Sequence, residues 1–413
     1  MSIDTLFYGL EAFDDDVDTA PEDITQEMEE VNEKQQEATE MYYQAKMIGA
    51  STQIALEHLD EAIAYRNHIA SFGVDRTFLA LANRDNRLSN YLGMALPSCE
   101  SMDSIGNPSS QLSLVCMEAF DNVITKFFHY LWEKICAIAK WIKDKIVGFF
   151  DWIGSFFSSK EAKDGEKALE TAAQNTDKIA QIANEESKSG EASKSGEASK
   201  SGEESKGDID VLSYDALNAL TELAKNNLPD AITKLREVMK TANRGVFSDN
   251  AVVSVNNISI DKLNTAYKVI EDLKDKIDKA PNLSTKAVYR LKTGLVTPSE
   301  KGSHAKVYSL KEWFAKYKEV MMTYPKLIKQ CDPKGFAKDL DDFAANIKSY
   351  GERQTTKADP VKGLLHEKMK SVHEKCAFTS QMLAKLAEAG SGMRMMALQS
   401  KMKLQPYIAK LGK

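Results

Sequence analysis

Between Lys126 and Phe157 the chain reads KFFHYLWEKICAIAKWIKDKIVGFFDWIGSFF, with apolar residues recurring at intervals of three and four. Stepped at about 100° per residue, Leu131, Ile135, Ile138, Ile142, Ile146, Phe149, Ile153 and Phe156 fall in one band. Glu133, Lys140, Asp144 and Asp151 fall opposite, and Trp132, Trp141 and Trp152 flank the band. Three of the four tryptophans and six of the sixteen phenylalanines lie here, so the spacing predicts an amphipathic helix whose face must be covered. Three coverings suit it: the protein's own helices, the groove of a partner protein, or a lipid headgroup layer. The protein's own helices, packing it between the N-terminal unit and the C-terminal domain, are the first reading; the flanking tryptophans and five lysines against three acids suit the lipid layer as the alternative. For either external covering, the contact face would be Leu131, Trp132, Ile135, Ile138, Trp141, Ile142, Phe149, Trp152, Ile153 and Phe156.

The remaining pattern is also helical. Residues 1 to 20 are acidic and turn-like. A helix is predicted from Pro21 to about Ile48, with Ile24, Met28, Val31, Met41 and Tyr42 inward. Ser51 reads as the N-cap of a second, carrying Ile54, Leu56, Leu59, Ile63 and Ile69. Phe78, Leu79, Leu81, Leu88, Tyr91 and Leu92 suggest a third, and together these form a helical hairpin or three-helix unit ending at Pro97. SCESMDSIGNPSSQLS, residues 98 to 113, reads as a loop. The aromatic helix is predicted to start near Met117 and to break or bend at Gly148 and Gly154. Another helix follows over 160 to 186.

Ser187 to Glu204 is a hexapeptide repeated three times, SKSGEA, SKSGEA and SKSGEE, with no apolar side chain larger than alanine. Such a stretch cannot offset its ordering entropy, which predicts a solvated tether over 187 to 207. Beyond it, helices are predicted over 213 to 227, 229 to 243, 261 to 279, 285 to 295, 310 to 330, 334 to 350, 361 to 389 and 394 to 410. Only VVSVNNISI, residues 252 to 260, has strand character. The fold class is mainly α. Four parts are expected: an acidic helical unit over 1–100, a linker with the aromatic helix over 101–186, the tether, and a helical bundle over 208–413.

Composition adds two things. Residues 1 to 100 hold twenty acids and six bases, whereas the remainder holds forty-one acids and forty-eight bases, so the net charge of −7 conceals halves of opposite sign. Cys99, Cys116, Cys136, Cys331 and Cys376 are scattered, without C-x-x-C spacing, which points to a reducing interior rather than a disulfide framework. MSIDTLFYGLEAFDDD lacks the basic and apolar regions of a secretory signal, and charges interrupt every long apolar run.

Candidate chemistry is sparse. No phosphate-binding glycine loop, nucleophile elbow or H-E-x-x-H occurs, so no catalytic, cofactor-binding or metal-binding residues are expected and the chain reads as non-enzymatic. His366, His373 and Cys376 share a helix face, but two solvent-facing histidines are the simpler reading. The methionines at 321, 322, 393, 395 and 396 read as core filling. Residues 357 to 413 hold eleven bases and four acids, a balance that suits either a solvated face or sequence-independent contact with DNA phosphates.

Ser98-Cys99-Glu100 closes the acidic unit with the form small residue, any residue, glutamate. This resembles the processing sites of internal head proteins from phiKZ-like giant tailed phages, where a maturation protease cleaves after S/A/G-x-E in the prohead. The plan of an acidic helical propeptide before a helical body is similar too. The resemblance implies cleavage after Glu100 and a mature chain of residues 101 to 413. It also implies partners among other virion proteins and a prohead protease, and a place in the virion interior or, before assembly and after ejection, the host cytoplasm. The same tripeptide form recurs at Gly9-Leu10-Glu11, Ala38-Thr39-Glu40, Ala55-Leu56-Glu57, Ala168-Leu169-Glu170 and at Glu191, Glu197 and Glu203. What singles out Glu100 is the coincidence of motif, loop and charge boundary. Two further readings stand beside it: a membrane-active protein using the 126–157 helix, and a helical scaffold or adaptor.

Overall fold

The computed structural model describes residues 22–84, 107–191, 207–225, 228–245, 283, 286–299, 306–353 and 360–412. Of these, 85% are helical, which makes the class mainly α. Ser98, Cys99, Glu100, the strand-like 252–260 and the helix expected over 261–279 lie outside the described residues, as do Leu88, Tyr91 and Leu92.

Two helices of equal length frame the molecule. Helix α1 spans Glu22–Phe72 and is a single helix, where a break before Ser51 was expected. Gly49 is not a stop: it lies against helix α11, where an added Cβ would sit 3.5 Å from Ala377. The long contact on both sides holds the helix through a residue that would end an isolated one. After a turn at Gly73, helix α2 (Arg76–Arg84) places Phe78 and Leu79 inward.

The aromatic helix starts earlier than its apolar pattern suggested. Helix α3 spans Gln111–Trp141, and Ser110 caps it by accepting from the Ser113 amide. It does not break at Gly148 or Gly154. A π-helical turn, Ile142–Val147, carries it directly into α4 (Gly148–Ser158), which stops at the Ser159 cap of α5 (Lys160–Gln174). Asn175 then interrupts the helix expected over 160 to 186, and α6 runs Thr176–Glu191. Its last turn reaches five residues into the SKSGEA repeat, where a tether from Ser187 was expected; residues 192 to 206 lie outside the described residues.

Strand β1 (Ile209–Leu212), helices α7 (Tyr214–Lys225) and α8 (Leu228–Gly245), and strands β2 (Lys286–Arg290), β3 (Leu295–Pro298) and β4 (Tyr308–Ser309) follow. The strands form an antiparallel sheet in the order β1-β2-β3-β4, with Ile209 opposite Tyr289 and Tyr289 opposite Val296. The helix expected over 285 to 295 is thus a hairpin. Alternation buries Ala287 and Tyr289, and Gly294, at φ 65°, closes the turn in a conformation that suits glycine. Helix α9 (Leu310–Cys331) opens on a capping box between Ser309 and Glu312, and its Trp313 donates to the Leu212 carbonyl at 2.8 Å, fastening helix to sheet. Helix α10 (Pro333–Arg353) is tied to α8 where Arg236 meets Asp332 and Asp339.

Helix α11 spans Pro360–Lys410 without interruption, where two helices flanking Ala389–Met393 were expected. Gly390 is a crossing point. An added Cβ would stand 2.6 Å from the Tyr324 hydroxyl and collide with Ile153, so glycine lets α4 and α9 approach the axis of α11. Gly165 does the same for α5, where a Cβ would lie 2.6 Å from the Ala397 carbonyl. One continuous core joins Ala38 of α1, Ile138 of α3, Tyr289 of the sheet and Leu404 of α11.

Candidate functional site

The aromatic helix has its own protein on both sides. Ile135, Ile138, Ile142, Ile153 and Phe156 are each at most 1% exposed, Phe149 is buried at 3%, and Trp141 at 9%. Trp132 and Trp152 are half-buried, and the Leu131 side chain lies outside the described residues. The contact face expected for a membrane or partner is therefore turned inward. Helix α3 lies between α1 and α10, and α4 lies against α11 and α9. The physical reason is that the N-terminal unit and the C-terminal helices each present apolar side chains to the same helix.

The cover on one flank is α1, and its contacts are specific. Buried Val31, Ala38, Met41, Ala45, Leu59, Ala62 and Ile69 form a seam in which three alanines alternate with larger side chains, at spacings of three, four, seven and fourteen. Val31 packs with Met395 and Leu398 of α11 and with the edge of Trp152. Tyr65 of α1, Phe78 of α2 and Phe120 of α3 meet with ring centroids 6.1 to 6.3 Å apart.

Polar groups fix the register. Trp152 Nε1 donates to Glu30 Oε1 at 2.8 Å, and Trp141 Nε1 donates to Gln44 Oε1 at 3.2 Å. Two of the three tryptophans that flank the apolar band thus spend their one donor on α1. Thr39 donates to Glu388 at 3.3 Å, Arg66 pairs with Asp121 at 3.1 Å, and Lys385, buried in α11, lies 4.9 Å from the Tyr42 ring centroid. The Glu37 carboxyl is held below the usual carboxylate range by a hydrogen bond from Lys34 at 2.6 Å. Partial burial opposes this and Lys145 adds to it.

At the far end, the Val74 amide donates to Ser113 Oγ at 2.9 Å, and that hydroxyl donates to the Asn107 carbonyl at 3.1 Å. Gly73 packs so closely on Asn107 that a Cβ there would lie 2.7 Å from its carbonyl carbon. Asp75 caps α2 by accepting from the Phe78 amide. Burial raises its pKa, but that hydrogen bond and His68 outweigh burial and lower it. The connection carrying residues 98–100 thus departs after Arg84, and the chain is anchored again at Asn107, beside the start of α2.

Deeper in the same interface, Arg394 of α11 stacks its guanidinium 4.6 Å from the Trp152 ring and reaches Glu161 of α5 at 3.5 Å. Burial raises the Glu161 pKa, opposed by Arg394 and reinforced by Glu27 of α1.

Of the basic residues over 357 to 413 whose side chains are described, four of five are engaged within the chain. Lys385 and Arg394 are engaged as above, Lys403 donates to the Asp208 carbonyl at 2.5 Å, and Lys410 pairs with Glu186. The outward basic row is on α9 instead: Lys311, Lys318, Lys326 and Lys329 share an exposed face with Met322. The side chains of His366 and His373 lie outside the described residues, and Cys376 is buried. Burial pushes the Cys116 thiol up to about 11, the mark of a packing residue rather than a nucleophile. Among the described residues no group of three His, Cys, Asp or Glu is placed to hold a metal ion, and no helix is long and apolar enough to cross a membrane.

Comparison with protein-family models, with curated proteins and with solved structures gives no match.

Proposed function

We propose that the chain is a non-enzymatic structural protein of a phage virion interior, cut once after Glu100 during capsid maturation and packaged or ejected with the genome. One observation carries the reading: the acidic N-terminal helices form a fitted cover over the body, and Ser98-Cys99-Glu100 falls in the connection between the two. A cut after Glu100 severs cover from body while leaving every described helix whole. The charge boundary and the tripeptide agree with that division. A prohead protease is the partner for the cut, and other virion proteins are the partners for assembly. Contact with packaged DNA falls to the α9 lysines, whose row from Lys311 to Lys329 is about 27 Å long at 1.5 Å per residue.

Mass spectrometry of purified virions tests this. Peptides ending at Glu100 and beginning at Ser101 are expected, and abundant peptides spanning residues 90 to 110 would overturn the processing step. Neighbouring genes for a capsid protein and a prohead protease are expected as well.

A second reading has its own observation. Loss of α1 would strip Trp141 and Trp152 of their hydrogen-bond partners and bare one flank of the aromatic helix, giving a membrane-active form. Liposome leakage by protein cut at Glu100, against uncut protein, distinguishes it, and equal inactivity of both rules it out. A helical scaffold without a viral role is the reading left if neither test succeeds.

A further inference from the structure

We infer that α3, α4 and α11 form a receptor groove for a helix, and that a cut between Arg84 and Asn107 leaves α1 and α2 bound there as a separate, non-covalent subunit. The inference rests on the proposed function only for where the natural cut falls; the groove and its occupant are read from the packing.

Three observations carry it. First, the ties between α1 and the body run along most of its length: Glu30 to Trp152, Thr39 to Glu388, Gln44 to Trp141 and Arg66 to Asp121. Glu30 and Arg66 are thirty-six residues apart, about 54 Å at 1.5 Å per residue. An occupant held at both ends and in the middle does not leave by losing one contact.

Second, the last tie spans the cut and needs no covalent link: Gly73 and Val74 belong to the cover, Asn107 and Ser113 to the body. Val74, Ser113 and Asn107 are joined by buried or half-buried hydrogen bonds, and Gly73 is seated on the Asn107 backbone. None of these ties passes through residues 85 to 106, so a cut there leaves each of them in place while removing the effective concentration that a single chain supplies.

Third, the groove is unsuited to stand empty in water. Without α1, apolar Phe120, Met395 and Leu398 would lose packing partners, and the rings of Phe149 and Trp152 would lose Lys34 and Glu30. Lys385 and Glu388, both under 10% exposed in the whole protein, show that the same groove is also polar enough to select its occupant. What it selects is a long acidic helix with a seam of alanines and larger side chains, the chemistry of α1.

The test is made on the full-length protein with a site-specific protease sequence replacing residues 98 to 103. After complete cutting, both fragments are expected to elute together at micromolar concentration with unchanged helix content, and their thermal midpoint should become concentration-dependent. Elution of the two fragments apart, or precipitation of the larger one, overturns the inference. Ala38→Glu places a charge in the seam and is expected to leave the uncut chain folded but to lower retention of the cut fragment at least tenfold. Retention unchanged by Ala38→Glu would show that α1 is not held through this groove, which also overturns it. Because the cut is engineered, a negative result here leaves the virion processing claim standing, and unprocessed virions leave this result standing.

Discussion

Helices α1 and α11 are each fifty-one residues long and lie side by side, yet they solve different problems. From Met382 to Leu398 nearly every side chain of α11 is buried, including Lys385, Glu388 and Ser391. Among its described side chains α1 buries one narrow seam, and Tyr43 and Met47 on its outer side are 59% and 69% exposed. A helix hydrophobic or buried all round is the axle of a domain, and one buried on a single stripe is a lid on it. Length and packing partner are shared, so burial pattern alone separates the element the fold needs from the element it could lose.

The largest expected effect is on the axle. Gly390→Leu must displace Ile153 and the Tyr324 hydroxyl, and is expected to cost about 3 kcal/mol. The loss should appear equally whichever helix is probed in a denaturant titration. On the lid, Leu59→Ala removes a fully buried side chain and should cost about 2 to 4 kcal/mol. Amide hydrogen exchange should then quicken in α1 and α2 and hardly change in α11, because the lid can open on its own. Equal quickening in both helices would erase the distinction.

Trp152→Phe keeps most of the ring but loses the bond to Glu30, for about 1 kcal/mol, again read as faster exchange in α1. Acid should act in the same direction and more weakly. The Glu37 pKa is lowered from 4.5 in the folded chain, so the stability it contributes is complete above 4.5 and is lost as the pH falls below that value. Asp75 behaves likewise from 3.8. Glu161, raised by burial, has the opposite sign: its protonation favours the fold, so the junction of α5 with α11 should not loosen. In single-tryptophan variants, the fluorescence of Trp152 should therefore respond to acid before that of Trp313.

The helical class, the aromatic helix and helices such as α9 were legible in the sequence because each carries an apolar stripe of helical period. The glycines were not. Gly49 and Gly390 carry the same local signal as a helix stop, and only a second helix passing at close range makes them contacts. The β2–β3 hairpin was masked by lysine, alanine, arginine and leucine, common helix formers, although the alternation in Lys-Ala-Val-Tyr-Arg and the Gly294 turn were there to be read.

What covers the aromatic face was illegible for a further reason. The seam of α1 is built partly of Ala38, Ala45 and Ala62, which carry little apolar signal, and the buried part of α11 includes serines. Ser380, Ser391 and Ser400 resemble surface residues but satisfy their hydroxyls on the Cys376, Glu388 and Met396 carbonyls. The inward tryptophan donors could not be anticipated from spacing, since their partners Glu30 and Gln44 lie roughly a hundred residues away in the chain.

The π-helical turn at Ile142–Val147 acts as a phase shifter. Six residues wound at the wider π pitch set the following helix back by about one residue, or roughly 100° of rotation. Upstream, the helix packs between α1 and α10; downstream, Ile153 meets the Gly390 crossing. An apolar band that is straight on a regular wheel is thus wrapped around two different neighbours. Deleting a single residue from this turn would leave composition and hydrophobicity almost untouched, yet it would dial Phe149, Ile153 and Phe156 out of their sockets together. Length, more than side-chain identity, is what this stretch of the chain must conserve.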